Sequence, residues 1–552
     1  ASDQKAFVTH LNCSFVAAIG ADRFKLSTMC NSPQVSDMTY VKVREVLTRH
    51  CFLNQLCSAI LVSLVFFGIR IQRREMDKNP NNSTDADIPL VLDVDGTLLR
   101  TDLLYETFWA ALGQNFQETL WVVATKWRRP EQLKRTLAGI ARPRIDLLPV
   151  RERALEIARQ AQAVGRRVHL VSGSDQELIN ELATQLDLPG PHFGSNSECN
   201  LTDATKAAFL KDLFGPDGYD YAGNAQADLK SWAGARRIIA VEPGAALASK
   251  IETLGKPVEI IPESWGMTDI LREIRPRQWV KNLLLCLPLL ANHTFGLASF
   301  LSVCLAAVAL SFGASALYIL NDLLDLEADR SHPEKRYRPI AAGNLPISAA
   351  MQVSMLLAFL AVFLAFLVNP MVALLTVAYM AGSLSYSLWL KKIRWLDLIA
   401  LTSLFLLRII TGAAAAGISV TPQLFVLVFT VFFTLACVKR LTALSRMRGR
   451  DHLPGRGYTF NDLVPLKRAG YLGAALSGIS FLVFIRLEYN AGLYSAPVVA
   501  SLAVVPLLVW LFRMVHLGVA GREDYDPVRF AMHDWFGLAL AGLGTILLFL
   551  AI

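Results

Sequence analysis

The sequence predicts a two-domain chain: a soluble α/β domain built on a parallel sheet, then an all-α polytopic membrane domain of nine transmembrane helices. Three observations carry this reading. Of 552 residues, 53% are hydrophobic and only 18% are charged, and the mean hydropathy of +0.39 lies above the range of ordinary soluble enzymes. Between Ile88 and Pro262, short β-branched runs alternate with segments of helix length. Everything after that is a train of long apolar segments.

Charge and cysteine usage narrow the function classes. There are 54 basic and 46 acidic residues, a net charge of +8. In a membrane protein such an excess reports orientation in the bilayer, so no nucleic-acid partner is needed to explain it. The eight cysteines (Cys13, Cys30, Cys51, Cys57, Cys199, Cys286, Cys304 and Cys437) include no C-x-x-C pair, and three lie in apolar runs. That excludes a disulfide scaffold and a thiolate zinc site of the usual spacing.

Residues 1–86 form an N-terminal extension. Its apolar stretch Leu56–Ile69, at about 14 residues, falls short of the roughly 18 wanted for a spanning helix, so it reads as a weak anchor. Arg70, Arg73, Arg74 and the polar linker KNPNNSTDAD follow it. The competing reading starts the native protein at Met76, directly before that linker.

Residues 87–262 form the α/β domain. The strand in PLVLDVDGT opens it; a helix runs through Val164 to a C-cap at Gly165, and further strands follow in RRVHLVSGS, YDYAG and RRIIAVE. Carboxyl ends of parallel strands are where ligands bind, and Asp93 and Asp95 stand at such an end, one residue apart and ahead of Gly96. Two carboxylates on one turn suit a nucleophile and an acid/base. Ser172 ends the next strand, Lys206 begins a helix in LTDATKAAFL, and GNAQAD places Asn224 and Asp228 after a third strand.

These four motifs, in this order, resemble the haloacid dehalogenase-like (HAD) superfamily of phosphohydrolases. The resemblance implies a Rossmannoid parallel sheet with a small helical cap. It implies Asp93 as the group attacking phosphorus and Asp95 as the acid that protonates the leaving oxygen and then activates water. Ser172 and Lys206 would hold phosphate oxygens, and Mg²⁺ would sit between Asp93, the Asp95 backbone and Asp228. One departure stands out. The family's usual Gly-Asp pair is Gly223-Asn224 here, which removes a negative charge from the metal site. A degenerate domain serving as a docking platform is the alternative.

A basic linker, LREIRPRQWVK within residues 263–278 and beyond, leads to the membrane domain, residues 279–552. Nine apolar segments follow, near 280–295, 298–320, 349–368, 370–390, 396–416, 422–438, 469–487, 496–516 and 531–552. Loops after the even-numbered spans carry Arg330, Lys335, Arg336 and Arg338; Lys391, Lys392 and Arg394; a basic run from Lys439 to Arg468; and Arg513, Arg522 and Arg529. The opposite loops carry only Arg486. Lys and Arg stay on the cytoplasmic side, which puts these loops and the α/β domain on the cytoplasmic face of the cell (inner) membrane.

The segment NDLLDLEADR holds Asn321 and places Asp322, Asp325 and Asp329 at i, i+3 and i+7, one acidic stripe if the helix is continuous. Like charges at the edge of lipid are tolerated where cations bind, and magnesium chelated by these carboxylates and by a diphosphate satisfies that need. Lys335, Arg336 and Arg338 follow as partners for phosphate oxygens. A second cluster holds Asp397, a further acid for catalysis and an alternative to Asp329 in holding magnesium, and Tyr386 and Lys391 as substrate contacts, with Arg408 as another candidate substrate contact inside the fifth span. That arginine either faces a polar cavity or pairs with Asp397 or another interior carboxylate. The loops at 439–468 and 524–534 read as solvated tethers or as lids.

Span count, orientation and the two aspartate motifs resemble the UbiA superfamily of intramembrane transferases. The commoner branch moves a prenyl group from prenyl diphosphate to an aromatic acceptor. The strings HPEKRYRPIAAG and YSLWLK are instead similar to the decaprenyl-phosphate phosphoribosyltransferase branch. There, phosphoribose passes from phosphoribosyl pyrophosphate to a polyprenyl phosphate, with Mg²⁺ as cofactor. The expected partners are thus a polyprenyl phosphate and a diphosphate-bearing donor, and the HAD-like domain acquires a substrate, the lipid-linked ribose 5-phosphate. An aromatic prenyltransferase and a transporter or lipid scaffold are the competing readings; acids at helix ends rather than at midplane argue against transport.

Overall fold

The structure, a computed structural model, describes residues 87–196, 199–262, 265–293, 296–447, 452–453, 455–490, 492, 494–522, 530 and 533–551. The 1–86 extension, Arg448, Arg450 and most of the 524–534 loop lie outside the described residues. Six strands, β1 (Leu90–Leu92), β2 (Val168–Asp175), β3 (Phe193–Ser195), β4 (Asp220–Gly223), β5 (Arg237–Val241) and β6 (Val258–Ile261), form a sheet of order β3-β2-β1-β4-β5-β6. Every pairing is parallel. Leu90 and Leu92 face one buried cluster with Leu170 and Ile239, while Val91 faces another with Tyr221 and Trp232. A sheet covered on both faces needs such unbroken apolar strands. The four expected strands are present. β3 and β6 were not anticipated, because FGS has no apolar run and VEII is a short, half-exposed edge.

The chain leaves β1 to build β2 and β3 on one side and returns to build β4 on the other, so the order reverses between β1 and β4, where ligands bind in open parallel sheets. Four α-helices lie between β1 and β2: Leu103–Gln114, Phe116–Lys126, Pro130–Ile140 and Glu152–Ala163. The Asp102 side chain accepts from the Leu104 and Tyr105 N–H groups and so starts the first of them. The expected C-cap is present: the Glu152–Ala163 helix ends before Gly165, whose φ of +81° suits a residue without Cβ.

Among the described residues, seven helices are long and apolar enough to cross a membrane: Leu297–Leu324, Ile347–Val368, Pro370–Leu388, Leu396–Ala416, Pro422–Ser445, Phe460–Asn490 and Pro497–Val519. The expectation was nine. Its first span is divided into a tight 3₁₀ segment, Pro276–Cys286, and a short helix, Leu287–Ala291, each with a proline in its first turn. Its last is Trp535–Phe549, whose 15 residues reach only about 22 Å.

Residues 85–552 form one compact unit. Trp109 and Leu112, from the sheet side, share a buried cluster with Ile274, Ile319, Leu323, Leu326 and Ile340. The stretch expected as a linker is structured, with a Met267–Glu273 helix whose Ile270 packs against that cluster.

Candidate functional site

At the carboxyl end of β1, Asp93 is buried and accepts a hydrogen bond from Lys206 Nζ at 2.7 Å. Lys206 also donates to the Tyr221 hydroxyl (3.1 Å), which donates to Asp228 Oδ1 (2.7 Å). Burial pushes the Asp93 carboxyl up to about 7, against the pull of the Lys206 ammonium. The Lys206 pKa is raised although burial opposes it, because Asp93 and Asp228 flank it. Asp95 accepts from the Leu103 N–H (2.8 Å), Ser172 Oγ (2.9 Å) and Ser174 Oγ (2.7 Å). Ser172 therefore orients Asp95 from behind, and Ser174, unmarked in the sequence reading, shares that work.

Gly96, at φ +73°, makes the turn directly after the two acids, and a Cβ there would lie 2.2 Å from Asn224 Nδ2. Asn224 accepts from Thr97 Oγ1 at 3.3 Å. Asp228 Oδ2 accepts from the Asn224 and Ala225 N–H groups, closing the turn after β4. A cavity of about 850 Å³ is lined by Asp93, Asp95, Lys206, Asn224 and Asp228, by Lys134 of the inserted helices, and by Gly343 and Asn344 of the membrane part. Lys134 donates to the Gly173 carbonyl (2.6 Å), and burial lowers its pKa. It was missed in sequence because a lysine on an amphipathic helix carries no distinguishing spacing.

The second site lies at the end of the Leu297–Leu324 helix. That helix stops at Asp325 and a new one starts at Leu326. The acidic stripe is broken accordingly: Asp322 and Asp329 converge on Arg338 Nη1, with Asp322 Oδ1 at 3.0 Å. Asp325 instead lines a separate cavity of about 410 Å³ with Gly113, Gln114, Arg142 and Arg144. Lys391 feels Asp325 as its strongest attraction, although burial holds its pKa down. Asp322 also pairs with Arg275, and Lys335 Nζ lies 3.3 Å from Asp329. Arg336 stacks on Tyr337 and is exposed, away from the cluster. Asn321 contributes its carbonyl to the Asp325 N–H.

Arg275 and Glu273, both from the expected linker, belong to this site. Arg275 adopts φ +52°, a left-handed backbone that an arginine seldom takes. Glu273 is 1% exposed and neither carboxylate oxygen has a hydrogen-bond partner. Burial first, then Asp322, pushes its pKa up to about 8. Burial also raises that of Asp329, with Arg338 opposing.

Asp397 is fully buried and neutralised by Arg440, which donates through Nε (2.5 Å) and Nη2 (2.9 Å), and by Arg456 Nη1 at 3.2 Å. Tyr386 donates to the same carboxylate at 3.0 Å. Arg440 was read as a loop residue, but its helix runs on to Ser445. Arg408 does not pair with Asp397. It donates to Asn282 Oδ1 (3.1 Å), the Tyr379 hydroxyl (2.7 Å) and the Leu404 carbonyl (2.8 Å).

Among the described residues, no three His, Cys, Asp or Glu side chains form a ready metal shell. The two sites differ in how they fit magnesium. Asp322 and Asp329 are hard oxygen donors that already converge on one cationic atom, with Glu273, whose oxygens make no hydrogen bond, beside them, and they suit it. At the sheet site, both Asp228 oxygens are engaged and Asn224 is neutral, so the donor set expected there does not fit as drawn.

Residues 283–533 match the UbiA prenyltransferase family. A relative from Sinorhizobium fredii, uncharacterized protein y4nM, is 32% identical over 474 residues, covering 84% of this chain and 92% of that protein. The chain belongs to the UbiA family. It is 43% identical over 164 residues to the decaprenyl-phosphate phosphoribosyltransferase of Corynebacterium glutamicum. That match covers 29% of this chain and 49% of the relative, so it spans about half of the enzyme's length. A solved UbiA homolog from Archaeoglobus fulgidus, bound to DMAPP and Mg²⁺, aligns with a TM-score of 0.40 and 16% identity, over 51% of this chain and 99% of that one.

Proposed function

We propose that this UbiA-family transferase moves 5-phosphoribosyl from phosphoribosyl pyrophosphate to a polyprenyl phosphate, and that its sheet domain is a HAD-like hydrolase acting on the lipid-linked product. The observation that carries the transfer reading is the joining of Arg275, Lys335 and Arg338 to Asp322 and Asp329. Three cations at one acidic cluster suit a donor bearing a diphosphate and a further phosphate, more charge than an isoprenoid diphosphate brings. The 43% identity over 164 residues to a phosphoribosyltransferase supports the same reading.

Arg275, Arg338 and Lys335 bind the diphosphate oxygens, and Asp322 and Asp329, with Glu273, would hold magnesium. That ion would supply charge neutralisation at the departing diphosphate. An oxygen of the acceptor phosphate attacks the anomeric carbon, the bond from that carbon to pyrophosphate breaks, and the diphosphate leaves with the electron pair. At the sheet site, Asp93 attacks the 5-phosphate phosphorus. Asp95 gives a proton to the leaving sugar oxygen and then takes one from the water that hydrolyses the aspartyl-phosphate, so one water is consumed and phosphate is released. Lys206 holds phosphate oxygens. The short Pro276–Ala291 and Trp535–Phe549 segments complete nine crossings; Gly412, where a Cβ would lie 2.0 Å from the Leu285 carbonyl, seats the first of them in the bundle. The basic loops and both sites face the cytoplasm.

The test uses purified protein, Mg²⁺, a polyprenyl phosphate and phosphoribosyl pyrophosphate labelled separately on ribose and on the 5-phosphate. Ribose should reach the organic phase and the 5-phosphate should be freed, and Asp93→Asn should keep that phosphate on the lipid. If neither label reaches the lipid, the transfer reading fails and prenyl diphosphate with aromatic acids is the next donor and acceptor pair.

A further inference from the structure

We infer that the hydrolase cavity is a composite site, walled by the membrane part, and that its substrate is a phosphomonoester still anchored in the bilayer and passed directly from the transferase site. This rests on the function proposed above. Asp93, Asp95 and Lys206 line one side of the cavity; Asn344, Pro346 and Ile347 line the other. Ile347 is the first residue of a 22-residue apolar helix that is long enough to span a membrane, so this wall lies at a bilayer surface. A soluble phosphate ester needs no such wall. A lipid-borne one must be met there.

The wall is locked in place. Gly343, at φ +73°, has no side chain, and a Cβ on it would stand 2.7 Å from Arg100 Cβ and 2.9 Å from Pro149 Cβ, both on the sheet side. Arg100 Nη1 donates to Asn344 Oδ1 at 3.3 Å. The same strip of chain begins at Arg338, which holds the transferase aspartates. Between Arg338 and Asn344 a fully extended chain reaches at most about 20 Å. The sugar phosphate can therefore move from one site to the other across one short strip of backbone while its lipid stays in the membrane, at high effective concentration.

The experiment is isotope dilution with the full chain in lipid vesicles containing polyprenyl phosphate, labelled phosphoribosyl pyrophosphate and an excess of unlabelled lipid-linked phosphoribose. Direct passage predicts dephosphorylated product with undiluted label. Gly343→Val should leave label transfer to lipid measurable while diluting the product label in proportion to the pool. Asn344→Ala should raise KM for the lipid phosphomonoester about tenfold more than KM for p-nitrophenyl phosphate, as expected for one lost hydrogen bond. Transfer followed by full dilution in the unaltered chain, or an equal KM change on both substrates, overturns the inference alone. Absence of any ribose on the lipid removes the reading beneath it as well.

Discussion

The two aspartate clusters of the membrane part have opposite electrostatics. Asp397 is matched in place by Arg440, Arg456 and Tyr386. At the other cluster, Asp322 and Asp329 share Arg275, Arg338 and Lys335, and Glu273 has no hydrogen bond to either oxygen, with Arg275 Nη2 3.9 Å from its Oε1. One is a closed ion pair that holds helices together, and the other has acceptors to spare. The difference separates an acid already paired within the protein from acids with open acceptors, which spacing along the chain cannot do.

Breaking the closed pair gives the largest effect. Asp397→Asn should cost about 3–5 kcal/mol, because it strands the buried Arg440 charge; thermal unfolding in detergent measures it, and a loss below about 1 kcal/mol would mean that water reaches the pair. The sheet domain supplies a pH-dependent counterpart. Burial lowers the His169 pKa from its usual 6.5 to about 4, with the Pro191 carbonyl opposing and Arg167 and His192 adding repulsion. The unfolded chain then binds the extra proton between those values, so stability rises with pH across the window and is lost as pH falls from about 6.5 to about 4. The loss is about 3 kcal/mol, and His169→Gln should flatten it in unfolding titrations.

The open cluster should respond to metal. Saturating Mg²⁺, at about a hundred times its Kd, should stabilise the protein by about 2.7 kcal/mol. Calorimetry should show Asp322→Asn losing this increment and Asp397→Asn keeping it; equal loss in both would erase the distinction. Glu273→Gln should weaken Mg²⁺ binding less than Asp322→Asn does. The smallest change is expected at the sheet site, where Asn224→Asp restores one charge to a donor set that does not fit the ion as it stands, and calorimetry should show Mg²⁺ binding there tightened by about tenfold.

Local chemistry was legible in the sequence. Asp93, Asp95 and Lys206 came from strand, turn and helix signals a few residues long, and the structure joins them. What failed depended on distance or on continuity. The stripe of Asp322, Asp325 and Asp329 assumed one helix, but the helix breaks at Asp325 and sends that side chain to another cavity. Arg440 lies 43 residues from Asp397, and Arg275 lies 47 from Asp322, so no local pattern joins either pair. A signal for Arg275 existed, a charge directly before Pro276 at the edge of an apolar segment. Glu273, a lone acid in a basic stretch, offered none.

One contact between the halves bears on how the molecule is assembled. Arg330, the neighbour of Asp329, forms a buried bidentate pair with Glu106 of the sheet side, at 2.6 and 3.0 Å, and binds the Ala341 carbonyl at 3.0 Å. Glu106 emerges from the ribosome more than two hundred residues ahead of its partner. The sheet domain can fold while the spans are still being inserted, and the arginine then finds a finished carboxylate waiting. A membrane half made alone would leave this guanidinium without the carboxylate that holds it. The order of synthesis thus makes the soluble part a scaffold on which the membrane site is completed.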